Sequence, residues 1–164
     1  MQIELARAHA RYNRWMNENL YGLAAELTEE QQTRDVGAFF KSLSGTLHHI
    51  LLADRIWLAR FDWPGSPLPE NVAWDFDLLL ESRRVEDERI IAYVYSLSES
   101  ALVAPLNYKN SRGDAFSHPL WIALFHLFNH QTHHRGQATT LLMQLGKDPG
   151  VTDLVAFLRQ PPGV

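Results

Sequence analysis

Between residues 126 and 137 the chain reads HLFNHQTHHRGQ, in which His126, His130 and His134 recur at every fourth residue. An α-helix turns about 100° per residue, so these imidazoles rise along one stripe with Cβ atoms roughly 5–6 Å apart. Two imidazoles at that spacing can share one cation through bonds of about 2.0–2.1 Å. A third donor has to come from elsewhere. The other histidine pair, His48-His49, lies in the apolar segment LHHILLADRIW, and two antiparallel helices would bring it opposite His130 and His134. Neighbouring helical residues point about 100° apart, so only one of that pair can face the ion, and spacing alone does not choose.

The donor types set the chemistry. The chain has no cysteine, so a tight site must rest on imidazole, carboxylate and water. Imidazole suits zinc, nickel, iron(II) and copper alike. Three neutral imidazoles around a divalent ion leave at least one position free, as catalytic rather than structural sites do. A cation there lowers the pKa of a bound water toward about 7, or holds a thiol as thiolate, and either becomes a nucleophile at neutral pH. His126, one turn before His130, and Gln137, beyond His134, are placed as outer contacts of the metal ligands or as substrate contacts.

Such a site needs rigid elements to hold it. Over residues 3 to about 27, Leu5, Tyr12, Met16, Leu23 and Leu27 keep a three-or-four spacing, an amphipathic helix with His9 on its stripe as a packing residue. Thr28-Glu29-Glu30-Gln31-Gln32 reads as a cap and one short helical turn before Gly37. A second long helix runs from about 39 or 41 to 61, with Leu43, Leu47, Ile50, Trp57 and Phe61 as its core stripe. Gly45 and Ala53 beside His49 either leave room for an ion and its ligand or permit close packing, and Asp54 reads as a polar anchor. Prolines 64, 67 and 69 make residues 62–73 a long crossing loop.

From about 74 or 75 to 97, Phe76, Leu79, Leu80, Ile90, Val94 and Leu97 define a third helix. Arg83 and Asp87 share its stripe as a partly buried ion pair facing the pocket, where Arg83 could orient an anionic substrate. Leu106-Asn107-Tyr108 and Ala115-Phe116 flank a turn at Arg112-Gly113-Asp114, a short hairpin. His118-Pro119 opens the last long helix, which ends near Leu145 before a left-handed cap at Gly146. One face carries Ala123, His126, His130, His134, Gln137 and Leu141. The opposite face, with Trp121, Phe125, Phe128, Thr132 and Met143, is expected to pack on neighbouring helices or on a twin subunit in a homodimer. Thr152-Asp153 caps a short C-terminal helix through Leu158. The expected fold is all-α: one domain over 1–164, a four-helix bundle with long crossover loops, a short β-hairpin before the last long helix and a short C-terminal helix.

Composition narrows the partners. With 46% hydrophobic and 21% charged residues in 164, the chain can bury one core and is not of a disordered or fibrous class. A net charge of -4 argues against binding nucleic-acid backbones, which calls for a basic face. The opening MQIELARAHARYNRWM carries charges throughout, unlike a secretory signal, and nothing later approaches a membrane span of about 20 apolar residues. The chain therefore reads as cytoplasmic, with a small-molecule substrate, no nucleic-acid partner and no membrane.

Three stretches, YNRWMNENLY, TLHHILLADRIWLARF and FNHQTHHRGQATTLLMQLGKDPGVTDLVAFL, resemble the DinB/YfiT-like metal-binding four-helix bundles over nearly the whole chain. The resemblance implies a metal triad of one histidine on the second long helix and a His-xxx-His pair on the last, which map onto His49, His130 and His134. Members of the wider family include thiol-dependent transferases and isomerases, in which a metal-held low-molecular-weight thiol attacks an electrophile. The resemblance thus implies a divalent-metal enzyme that activates such a thiol, or water. A metal-dependent hydrolase is the weaker reading, since no carboxylate stands at general-base spacing. A non-catalytic metal-binding stress-response or interaction protein is the third.

Overall fold

The periodic segments fold as α1 (Ile3–Ala25), the short α2 (Glu29–Thr33), α3 (Leu43–Arg60), α4 (Phe76–Ser96), α5 (Glu99–Val103), β1 (Pro105–Lys109), β2 (Ala115–Pro119), α6 (Leu120–Gln144) and α7 (Leu154–Leu158). The structure is a computed structural model that describes residues 2–63 and 75–159. Its four long helices close a ring in which α1 and α3 each pack on both α4 and α6. Most of the crossing loop expected over 62–73 lies outside the described residues. Among the described residues, no helix is long and apolar enough to cross a membrane.

Side-chain caps place the helix ends. Thr28 and Gln31 form a reciprocal capping box on α2, Ser42 accepts from the Gly45 N–H at 3.1 Å to start α3, and Asp75 accepts from the Asp77 and Leu78 amides to start α4. Gly146, at φ +79°, ends α6 as the left-handed cap expected of it. Asp153 precedes α7, but its side chain makes no capping bond, so that part of the expectation fails. The hairpin is antiparallel, with Leu106 opposite His118 and Tyr108 opposite Phe116. It sits between α5 and α6, and the Tyr108 ring lies 5.4 Å from Trp57 of α3.

The core divides into two apolar halves. Met16, Leu20, Leu47, Ile50, Leu79 and Leu142 fill one end, and Ala6, Leu58, Ile90, Val94, Leu124 and Leu127 fill the other. Full burial of each large side chain is worth about 1.5–3 kcal/mol, so these halves supply the main drive for folding. On every long helix the residues between the halves are polar: Asn13 and Asn17, Asp54, Arg83 and Asp87, Gln131 and Arg135, all buried. Arg83 reaches Asp54 Oδ2 at 2.6 Å and Asp87 Oδ1 at 3.0 Å, and Asn17 donates to the same Asp87 oxygen at 2.8 Å. Buried charges are costly unless paired and hydrogen-bonded, as Arg83, Asp54 and Asp87 are.

Two expectations need correction here. Arg83 and Asp87 do not form a partly buried pair facing a pocket; Arg83 is 1% exposed and its guanidinium is committed to two carboxylates in the bundle interior. The far face of α6, expected to pack on neighbouring helices or a twin subunit, is mixed: Phe128 is buried and Trp121 partly so, while Phe125 and Met143 are 53% and 55% exposed. Leu5, placed on the core stripe of α1 by spacing, faces outward as well.

Candidate metal centre

Trp57 of α3 lies beside His126 of α6, with ring centroids 4.9 Å apart, and His49 lies beside His130 and His134 at 5.1 and 4.5 Å. Rising numbers on α3 therefore meet falling numbers on α6: the two helices are antiparallel neighbours. Gln131 projects inward between His130 and His134 and hydrogen-bonds the Asp54 carboxylate across the helix pair. That buried bond fixes how α6 is turned about its axis and so aims the histidine stripe at α3.

One nitrogen each from His49, His130 and His134 converge, all within 4.8 Å of one another. The tightest approach is His49 Nε2 to His130 Nε2 at 3.2 Å. Two imidazoles bound to one ion at about 2.0–2.1 Å with a tetrahedral angle stand about 3.3 Å apart, so this edge already has the length a shared cation requires. His134 Nδ1 lies 2.8 Å from Gln137 Oε1. The tautomer that donates there leaves the Nε2 lone pair for the centre, as outer partners of metal-ligating histidines do.

Burial, and then the neighbouring His134 ring, push His49 down to about 4, and the same two causes push His130 down to about 4. Both shifts favour the neutral rings of His49 and His130, whose lone pairs are then open to a cation. The donor set thus fits a divalent cation of the imidazole-accepting kind.

Phe40 forms a wall that nothing in the spacing of the sequence announced. Its ring stacks on His49 at 3.9 Å and meets the His134 ring edge-on at 5.5 Å. The turn that carries it closes through Val36 N–H to Lys41 O at 2.9 Å, with Lys41 in the left-handed region at φ +68°. Gly45 serves this turn: a Cβ there would stand 2.2 Å from the Phe40 carbonyl oxygen. Gly45 admits the carbonyl of this turn rather than a neighbouring helix, and Phe40 stacks on the ring of His49. Next to the cluster opens a cleft of about 400 Å³ lined by Phe39, His133, Gln137 and Leu141 among others.

The remaining candidates fall outside the convergence. His126 contacts Trp57, and its ring is 5.9 Å from that of His130. His48 contributes no nitrogen to the trio; its ring is held below the usual range by burial and then by Arg55. Arg83 sits in the buried polar layer, 1% exposed and bound to Asp54 and Asp87. His133, unremarked in the sequence, lies 3.4 Å from the Gln137 amide nitrogen and so steadies the residue that holds His134.

Known proteins resemble this chain in sequence and in fold. A model of the DinB family matches residues 1–163. Protein DinB of Bacillus subtilis (strain 168) is 28% identical over 156 residues, 90% of each chain. The crystal structure of a DinB-like protein from Bacillus cereus ATCC 10987 has a TM-score of 0.66 at 23% identity, covering 83% of this chain and 90% of that one, a likeness of fold. Family membership and the three-histidine cluster are together compatible with a metal-binding protein.

Proposed function

The chain belongs to the DinB family, and from that premise we propose that it binds one divalent ion through His49, His130 and His134 and activates a low-molecular-weight thiol toward a small electrophile. The observation that carries the reading is the meeting of three imidazole nitrogens from two helices within 4.8 Å. A divalent ion held by three imidazoles supplies a Lewis-acidic position that lowers the pKa of a thiol or water.

The chain's own residues prepare that position. Gln137 orients His134, Phe40 covers one face of the His49 ring, and the cleft lined by Phe39, His133 and Gln137 reaches the residue that holds His134. Thiol rather than water activation is favoured because hydrolysis calls for a general base, and Asp54, the acid nearest His49 in the helix, is locked to Arg83 and Gln131. Exposed Phe125 and Ile122 on α6 support the homodimer reading, which light scattering after size exclusion tests directly: a monomer at micromolar concentration removes it.

Cobalt substitution provides the decisive experiment. The cobalt protein should show a visible spectrum that shifts when a small thiol is added, and His130→Ala should lose both metal and spectrum. A protein that stays empty after equilibration with cobalt, zinc and nickel overturns the metal site. Cobalt retained with a spectrum indifferent to thiols overturns the transferase reading and leaves hydrolysis or non-catalytic metal binding.

A further inference from the structure

On the side of α6 turned from the histidines, a second cleft of about 380 Å³ opens between α1, α6 and the segment leading into α7. His9, Tyr12 and Met16 line it from α1, Thr132, Arg135 and Thr139 from α6, and Asp153 stands among its lining residues from the C-terminal segment. The centre of interest is Arg135. It is 3% exposed, as deep as Arg83, yet the two guanidiniums are treated differently. Arg83 closes on two carboxylates. Arg135 donates to neutral oxygens, to Asn13 Oδ1 and, at 3.3 Å, to Thr132 Oγ1, and it lies over the Tyr12 ring at 5.1 Å from the centroid.

Among the described residues no carboxylate stands within ion-pair distance of Arg135. Its link to an acid is the relay through Asn13, whose amide nitrogen lies 3.5 Å from Asp87. A buried cation without a direct counter-ion is costly, and the cost is recovered when an anion enters. Asn13, Thr132 and the Tyr12 side chain engage part of the guanidinium, and its remaining donors are those that an entering carboxylate would meet. The His9 ring, stacked on Phe128 at 5.4 Å, adds an imidazole to the same wall. Asp153 sets the charge limit, because a dianion would meet its carboxylate.

We propose that this cleft binds a small monocarboxylate, received by the Arg135 guanidinium, at a site separate from the histidine cluster. The site does not depend on metal binding and would stand if the metal reading failed.

The test is a backbone amide NMR titration of the full chain with propionate and, separately, with inorganic phosphate, repeated on His49→Ala so that a carboxylate adding to a metal is told apart. Propionate should shift the amides of His9, Tyr12 and Thr139 saturably, in the wild type and in His49→Ala alike. Arg135→Gln should weaken that binding roughly tenfold or more, the share of hydrogen bonds to a charged group. Thr139→Leu, which fills the cleft from the partly exposed side of α6, should weaken it too, and it carries the test if Arg135→Gln does not fold. No saturable shift at these amides, a shift lost in His49→Ala, or phosphate binding as strongly as propionate would each overturn the proposal.

Discussion

Gly45→Ala is the substitution whose outcome separates the architecture of this site from simple helix propensity. In a helix, replacing glycine with alanine ordinarily stabilises, by up to about 1 kcal/mol. At position 45 the new Cβ would stand 2.2 Å from the Phe40 carbonyl oxygen, where a carbon–oxygen contact needs about 3.3 Å or more. The obstacle is backbone, so the 36–42 turn must retreat by about 1 Å, an overpacking that costs about 1–3 kcal/mol. For a chain of this length each kcal/mol moves Tm by about 2–4 °C, which predicts a drop of about 2–12 °C. Gly136 of α6 is the internal control, since a Cβ there meets nothing within 4 Å, and Gly136→Ala should raise Tm by up to about 4 °C. Differential scanning calorimetry of both variants reads the two signs. Because the Phe40 ring stacks on His49, Gly45→Ala should also alter the absorption of the cobalt-loaded protein. A Gly45→Ala protein as stable as the wild type, with an unaltered cobalt spectrum, refutes the argument that this glycine exists to seat Phe40.

Gln137→Ala removes the acceptor on His134 Nδ1 and should weaken zinc binding by about 10–100-fold without changing stoichiometry, measured by competition with a chromogenic chelator; unchanged affinity would contradict the orienting role. His126→Ala, outside the converging trio, should keep one metal per chain, and its loss would show that the ligand set is misassigned. Asp54→Ala takes one of the two carboxylates of Arg83 and the acceptor of Gln131, and breaking a buried pair of this kind should lower unfolding stability by about 3–5 kcal/mol in urea titrations. The His9 pKa is held below 6.5, chiefly by burial and then by Arg135. The folded chain therefore binds fewer protons than the unfolded chain below pH 6.5, so this contribution is complete above that pH and is lost as pH falls toward the folded pKa. His9→Phe should flatten the decline of stability between pH 6.5 and the folded-state pKa, and an unchanged slope would count against the burial of that ring as its cause.

Much of this protein was legible from local pattern. Helical periodicity is a property of a few consecutive residues, so four long helices, the Thr28 cap, the Gly146 stop and the hairpin could all be read before any fold was known. The His130-xxx-His134 pair belongs to the same class, because residues four apart on one helix are neighbours by geometry alone. What no local pattern carried were relations between segments. His48 and His49 are equivalent in spacing, and only the packing of α3 against α6, with Gln131 tied to Asp54, decides which of them meets His130. The Arg83–Asp87 pair follows from spacing four apart, but the second carboxylate on Arg83, Asp54, and the neutral oxygen of Asn13 that meets Arg135 come from other helices and are set only by the ring. Phe40 reaches His49 through a left-handed residue at Lys41 and a glycine that lets a carbonyl approach, a contact that exists only once the backbone has closed.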